Sequence, residues 1–336
     1  MRIKRILMTL ILAMMVFSTG FVVLCGRDKE PKLEQQCKID LGQDRVTDVK
    51  EYGEDGFLCL INGTELRLMA YNGEVLDSLP LDEEVTLLAT DDDKAAFTFS
   101  KTPNYNGGYI VAVCGGKNVR VIASDPRQNS LFTKMDFSLE NTVVSAAVRD
   151  SIVYIVLDNG DLYGFDIPIL TKSEVREDNG KEETSVDLKL ICQNAKIVGE
   201  HNVVLKDNSY MNIYQYNTGD PYEPFGEEII GVANNRGCGQ IITSQAIYEP
   251  VLPTDIRKMQ QIDNGQVYAG GYGYFYVKNG KFYYTGSLNI DPRGEHSPYG
   301  PEAKQARVDI PSGYKYCCIY RGIVCYDEHT IICYFV

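Results

Sequence analysis

Tryptophan is absent from this 336-residue chain, and histidine occurs only at His201, His296 and His329. The chain has no Gly-x-Ser-x-Gly elbow, no His-Glu-x-x-His and no phosphate-binding glycine loop. The common sequence signatures of hydrolases, zinc peptidases and P-loop enzymes are therefore missing. A basic footprint is missing too. The formal net charge is −13, and Arg2, Lys4 and Arg5 supply three of the positive charges within the first five residues. Phosphate backbones are bound by clustered Lys and Arg, so no nucleic acid is expected as a partner.

What is present suits a folded, strand-rich body. A hydrophobic share of 44% against 24% charged residues lies in the globular range. The aromatic content is 23 Tyr and 12 Phe beside 30 Gly, which fits strands joined by tight turns better than long helices. The sequence predicts an all-β fold.

The N-terminus differs. From Ile6 to Cys25 the stretch ILMTLILAMMVFSTGFVVLC carries no charge, and as a helix it would span roughly 30 Å, one bilayer core. Arg2, Lys4 and Arg5 precede it, so the positive-inside rule places the rest of the chain outside the membrane. Residues 1–25 are read as an uncleaved signal anchor or a signal peptide. Ser18 and Gly20 are compatible with cleavage, and Cys25-Gly26 with lipid attachment. The charged, apolar-poor segment that follows is read as a linker over 26–38, and 39–336 as the folded domain.

Within that domain one grammar recurs. VYIVLDNGDLYGFD, from Val153 to Asp166, is an apolar run, a turn and a second run. YFYVKNGKFYYTGSLN, from Tyr274 to Asn289, and HNVVLKDNSYMNIYQYN, from His201 to Asn217, repeat it. Weaker copies lie at Asn62-Gly63, Gly115 to Asn118 and Asp327-Glu328, and CGQIITSQAIYEP reads as a copy with a degenerate turn. The Asn159-Gly160 pair predicts a two-residue type I′ hairpin turn. The unalternating run Ile152 to Leu157 predicts a strand buried on both faces. Six or seven units, each of about 40 to 50 residues with short strands and tight turns, predict a β-propeller, with seven blades favoured. One segment, PTDIRKMQQID from Pro253 to Asp263, has helical spacing.

GEHNVVLKDN, from Gly199 to Asn208, and GYGYFYVKNGKFYYTGSLN, from Gly271 to Asn289, resemble the repeat of the regulator of chromosome condensation family. Gly199, His201 and Leu205 match one copy; Gly280, Tyr283, Gly286 and Asn289 match another. The resemblance implies a seven-bladed propeller, here of a bacterial exported type. The Trp usual in that repeat is absent, and the family's chromatin and GTPase roles do not transfer to an acidic chain with an export segment.

Asp158, Asn159 and Asp161 around Gly160 could suggest a calcium loop, but the glycine and glutamate that such a loop needs are out of register. The Asp residues also vary between copies while the strand-turn-strand pattern persists. A turn is expected there, and an exposed turn at Asp91, Asp92 and Asp93. Ten cysteines occur, four of them in the last twenty residues. A turn at Arg321-Gly322 would set Cys318 opposite Cys325 for a cross-strand disulfide; buried thiols in core strands, or a zinc site with His329 and Cys333, are the other readings. Structural zinc usually takes paired Cys at close spacing, which is missing. No metal and no cofactor is expected.

Two turn-rich loops offer binding groups. The stretch from Tyr214 to Glu228 carries Tyr216, Tyr222 and Phe225, and that from Asp291 to Lys304 carries Arg293, His296 and Tyr299. Loop aromatics are frequent anchors for partners. The expectation is a membrane-tethered extracytoplasmic propeller, non-catalytic, binding a protein or cell-surface polymer. The alternatives are a cell-envelope glycan hydrolase or lyase, or a structural envelope component.

Overall fold

The computed structural model describes residues 33–52, 56–91, 108–125, 130–168, 186–235, 238–252, 255–262, 267–270, 273–278, 281–286, 304–305, 308, 310–319 and 322–335. The chain divides into two units, Met1–Pro31 and Lys32–Val336, and the second carries all the described residues. The apolar stretch 6–25 lies outside them. Among the described residues no helix is long and apolar enough to cross a membrane.

Those residues form 28 strands in seven four-stranded antiparallel sheets. β1 (Glu34–Asp40) comes first and joins the last sheet. The first sheet is β2 (Val46–Glu51), β3 (Gly56–Ile61), β4 (Glu65–Ala70) and β5 (Val75–Pro80). The second is β6 (Val85–Thr90), β7 (Ile110–Cys114), β8 (Asn118–Asp125) and β9 (Ser130–Ser138). The third is β10 (Val143–Arg149), β11 (Ile152–Leu157), β12 (Leu162–Asp166) and β13 (Lys189–Cys192). The fourth is β14 (Ala195–Val198), β15 (Asn202–Leu205), β16 (Tyr210–Tyr214) and β17 (Asn217–Thr218). The fifth is β18 (Ile229–Asn235), β19 (Cys238–Thr243), β20 (Ala246–Leu252) and β21 (Asp255–Gln261). The sixth is β22 (Val267–Gly270), β23 (Gly273–Lys278), β24 (Lys281–Gly286) and β25 (Lys304–Gln305). The seventh takes β26 (Lys315–Ile319), β27 (Gly322–Tyr326) and β28 (Thr330–Phe335), and β1 pairs with β28 as its outer strand.

The first strands of successive sheets touch in a cycle: β2, β6, β10, β14, β18, β22, β26 and back to β2. The core consists of layers between sheets. Leu58, Leu60 and Leu66 meet Leu88, Ile110 and Ile122 between the first and second; Val46, Phe57 and Cys59 meet Val324, Ile331 and Cys333 between the first and seventh. β3, β7 and β11 are buried along their whole length. This is why Ile152 to Leu157 reads as an unbroken apolar run: both of its faces are covered by neighbours.

The recurrent turns lie between second and third strands, and in the first, second, third, fourth and seventh sheets the turn ties its sheet to the next. The first residue of an inner strand donates its N–H to the preceding sheet's turn: Val85 to the Gly63 carbonyl, Val143 to Gly116, and Ala195 to Gly160, each at 2.8 Å. Val46 closes the series on the Glu328 carbonyl at 2.8 Å. In the fourth sheet Asn208 Oδ1 replaces the carbonyl, accepting from Ile229 N–H at 2.8 Å.

Four sequence expectations change. The connection at Asn159-Gly160 is a three-residue turn over 158–160, not a two-residue type I′ turn. Gly160 N–H donates to Leu157 O (2.8 Å) and Leu157 N–H to Asp161 O (2.9 Å), and only Gly160 has positive φ, 96°. The true pairs of positive-φ residues are Asn62-Gly63 and Gly115-Gly116. Residues 255–261, read as helical, are the outer strand β21, whose pairing with β20 overrides its i,i+3 spacing. Residues 34–38, read as linker, belong to β1; an edge strand with one face in solvent has the same charged composition as a tether. Asp91 is buried rather than in an exposed turn; Asp92, Asp93 and the Asn279-Gly280 pair lie outside the described residues.

Candidate functional site

The inner strands of the first five sheets share an irregularity that those of the sixth and seventh lack. Their second residue is an extra one, bulged out of the ladder, at Thr47, Thr86, Val144, Lys196 and Ile230. A bulge leaves one partner carbonyl on the neighbouring strand without its ladder donor. Thr47 Oγ1 donates to the Leu60 carbonyl at 3.1 Å and Thr86 Oγ1 to the Val113 carbonyl at 3.2 Å. In each case the preceding residue is buried and the bulged one exposed.

Because the strands bearing them, β2, β6, β10, β14 and β18, touch in succession, the five bulged side chains lie along one arc, beside the turns that tie sheet to sheet. They form five-sevenths of the rim at one end of the cycle. Val144 and Ile230 are the apolar members, 48% and 47% exposed. Both sit in apolar runs, VV and II, that read from sequence as core. The usable signal is positional: each follows the first residue of an inner strand.

The surroundings of this rim are acidic. Asp82, Glu83 and Glu84 lead into β6, and Asp158 and Asp207 sit on neighbouring turns, all exposed. The basic groups nearby are already engaged. Arg67 pairs with Asp44 (2.7 Å) and Glu65 (2.8 Å), Arg120 with Asp136 (2.8 Å), Arg45 with Glu328 (2.9 Å) and Lys196 with Glu228 (3.1 Å). Arg67 and the Asn62 amide hold the Asp44 carboxyl below the usual range. Lys117 and Lys206 donate to backbone carbonyls of Glu140 (2.6 Å) and Asn159 (3.0 Å). Among the described residues no ion pair reaches Glu83, Glu84, Asp158 or Asp207. The rim therefore keeps excess negative charge around two exposed aliphatic side chains.

The calcium reading fails on contacts as well as spacing. Asp161 Oδ2 accepts from Asn159 Nδ2 (2.8 Å) and its Oδ1 from Gln193 Nε2 (3.1 Å). The carboxylate is part of the turn.

The aromatic loop is drawn inward. Tyr222 is buried and stacks on Tyr210 with ring centroids 4.1 Å apart, and Phe225 meets Tyr248 edge-on at 4.7 Å. Both join the layer between fourth and fifth sheets. Asn208 fastens this loop, its Nδ2 donating to the carbonyls of Phe225 (2.8 Å) and Glu227 (2.7 Å). Tyr216 packs apart from them against the third and fourth sheets, with Lys189 Nζ 4.0 Å above its ring. The large hydrophobic side chain this loop presents to solvent is Tyr214, 59% exposed. Arg293, His296 and Tyr299 lie outside the described residues.

The cysteine pairing is also displaced. Ile319 faces Gly322, so the hairpin centre lies one residue earlier than Arg321-Gly322. Cys318 is then opposite Ile323, and Cys325 opposite Tyr316. Cys325 is a buried free thiol, pushed up to about 12 by burial. His201, matched to the repeat, is half-buried and meets Arg149 Nη1 at 3.1 Å, linking third and fourth sheets.

No family model and no curated protein matches this chain. Among solved structures it is similar to the β-propeller domain of Cps50 (Swd1) from Myceliophteria thermophila, with a TM-score of 0.57 and 10% sequence identity, covering 90% of this chain and 99% of that one. At that identity the likeness concerns fold, and the four-stranded sheets and cyclic contacts agree with it: the chain is a β-propeller.

Proposed function

We propose that this propeller is a closed, seven-bladed, non-catalytic binding module held outside the cell by its N-terminal segment, and that its acidic rim receives a cationic protein segment. The cycle of first strands and the β1–β28 pairing support closure. The observation that carries the binding role is the exposure of Val144 and Ile230 within a carboxylate-rich rim whose arginines and Lys196 are internally paired. Aliphatic contacts at the centre would supply affinity, and the surrounding charge orientation and on-rate.

A peptide of alternating Lys and Leu serves as probe. The full chain should bind it, with affinity falling as salt rises. A double substitution, Val144→Lys with Ile230→Lys, should weaken binding by at least about tenfold. Unchanged affinity in that variant would remove the rim as the site. For the tether, the uncharged stretch from Ile6 to Cys25 supports membrane insertion. The full chain should stay in the pellet after alkaline carbonate extraction of cells and be digested by external protease. Release into the supernatant would count against an anchor.

We also read the fourth sheet as a divergent repeat of the regulator of chromosome condensation type, supported by Gly199, where an added Cβ would lie 2.7 Å from Val232 Cγ2, and by the His201 contact. Recurrence of that Gly–His spacing through the sheets of related chains would uphold this; its confinement to one sheet would remove it.

A further inference from the structure

The seventh sheet is completed by the two ends of the folded unit, β1 and β28, and Cys37 is the direct cross-strand partner of Cys333. Partners in antiparallel register project from the same face with α-carbons about 4.5–5.5 Å apart, inside the roughly 4.4–6.8 Å span of a disulfide. Both side chains reach the layer between seventh and first sheets.

Register excludes the other cysteines on that face. Cys317 faces Val324, and Val324 faces Cys333. Cys317 is thus two strand spacings from Cys333, roughly 9.6 Å. Cys59 belongs to β3 of the adjoining sheet, at a packing distance of about 10 Å. Cys325 faces Ile332, in the neighbouring cross-strand row whose side chains point to the other face.

We propose that Cys37 and Cys333 form a disulfide latch that fastens the propeller's closing strand when the protein meets a small-molecule disulfide such as oxidised glutathione. The two sulfurs are suited to different steps. Cys37 is half-buried and within reach of solvent, while Cys333 is buried. A hydrogen bond with Cys333 holds the Cys37 thiol down at about 7, and the same contact pushes Cys333 up. Thiolate is the attacking form.

The Cys37 thiolate attacks one glutathione sulfur, its S–S bond breaks, and one glutathione thiolate leaves. The Cys333 thiol gives its proton to that thiolate and attacks Cys37 Sγ, displacing the second glutathione, which takes the proton released from Cys37. Two protein thiols lose two electrons and two protons, and one glutathione disulfide becomes two glutathione thiols. The new bond joins the two ends of the ring and removes conformational freedom from the unfolded chain.

The test uses the full chain incubated with oxidised glutathione, quenched with N-ethylmaleimide and digested without reductant. A peptide pair joined through Cys37 and Cys333 is expected, and Tm should stand roughly 5 °C above that of the dithiothreitol-treated chain. Cys37→Ser should abolish both the joined peptide and the redox-dependent shift; Cys192→Ser, in the third sheet, should retain both. Glutathione left on Cys37 without the joined peptide, Cys37 joined to another cysteine, or equal Tm in the two redox states would each overturn the latch.

Discussion

Gly160 satisfies two requirements at once. Its φ of 96° lies in the left-handed region, and an added Cβ would meet Lys206 Nζ at 2.6 Å and Asn194 Cα at 3.3 Å. The lysine can swing away, but the backbone atom belongs to the residue that leads into the next sheet's first strand. Gly160→Ala should therefore destabilise by about 2 kcal/mol, most of it the left-handed penalty. Gly160→Asn should cost less, because Asn208 holds φ 71° at the equivalent turn. Equilibrium denaturant unfolding of both variants checks the order; equal losses would mean that crowding, not φ, sets the glycine requirement.

At the scale of elements, the loop over 219–228 shows how a segment without regular structure is fixed. Glu227 accepts from Thr243 Oγ1 (2.6 Å) and Tyr248 OH (2.7 Å). These bonds, the Thr243 bond foremost, hold its carboxyl below the usual range. A depressed folded pKa contributes stability that is present above the ordinary carboxylate pKa and is lost as pH falls through the folded value. Tyr248 is pushed up to about 12 by burial and by Glu227, so its contribution is present below the ordinary tyrosine range and lost as pH rises through about 12. A Tm plateau between about pH 5 and 9 should follow. Glu227→Gln should lower that plateau by roughly 2 °C and flatten its acid limb. An unchanged acid limb in thermal melts would show that Glu227 is not the group responsible.

The same scale shows what the sequence displayed. Turns at Asn62-Gly63 and Asn159-Gly160 were readable because positive φ demands Gly or Asn. Inner runs such as Ile152 to Leu157 were readable because burial on both faces removes alternation. The turn over 244–245 has no glycine: Thr243 Oγ1 accepts from the N–H of Gln245 (3.2 Å) and Ala246 (3.0 Å) instead. Outer strand β1 is half in solvent, so its composition resembles a linker, and outer strand β21 carries a spacing that resembles an amphipathic helix. The rim was hidden for the opposite reason, since a bulge turns out Val144 and Ile230, which composition assigns to the core.

For the whole molecule, stability depends on pairing the first strand with the last. Replacing residues 34–40 by a Gly-Ser stretch of equal length would leave β28, which carries Ile331 and Cys333, with one edge unpaired. Such a variant should melt at least roughly 5 °C lower and alkylate faster at Cys333. Unaltered melting and alkylation would mean that the other sheets hold the ring without β1.

Closure by the two ends also sets an order of events during synthesis. Every sheet but the seventh is made from consecutive strands and can form as it emerges. At about 5–20 residues per second, β1 emerges on the order of half a minute before β28 is made. For that interval its ladder groups are open to the wrong partner. The exposed Glu34 and Lys38 on this strand are charges of the kind that keep a waiting edge from pairing with another chain.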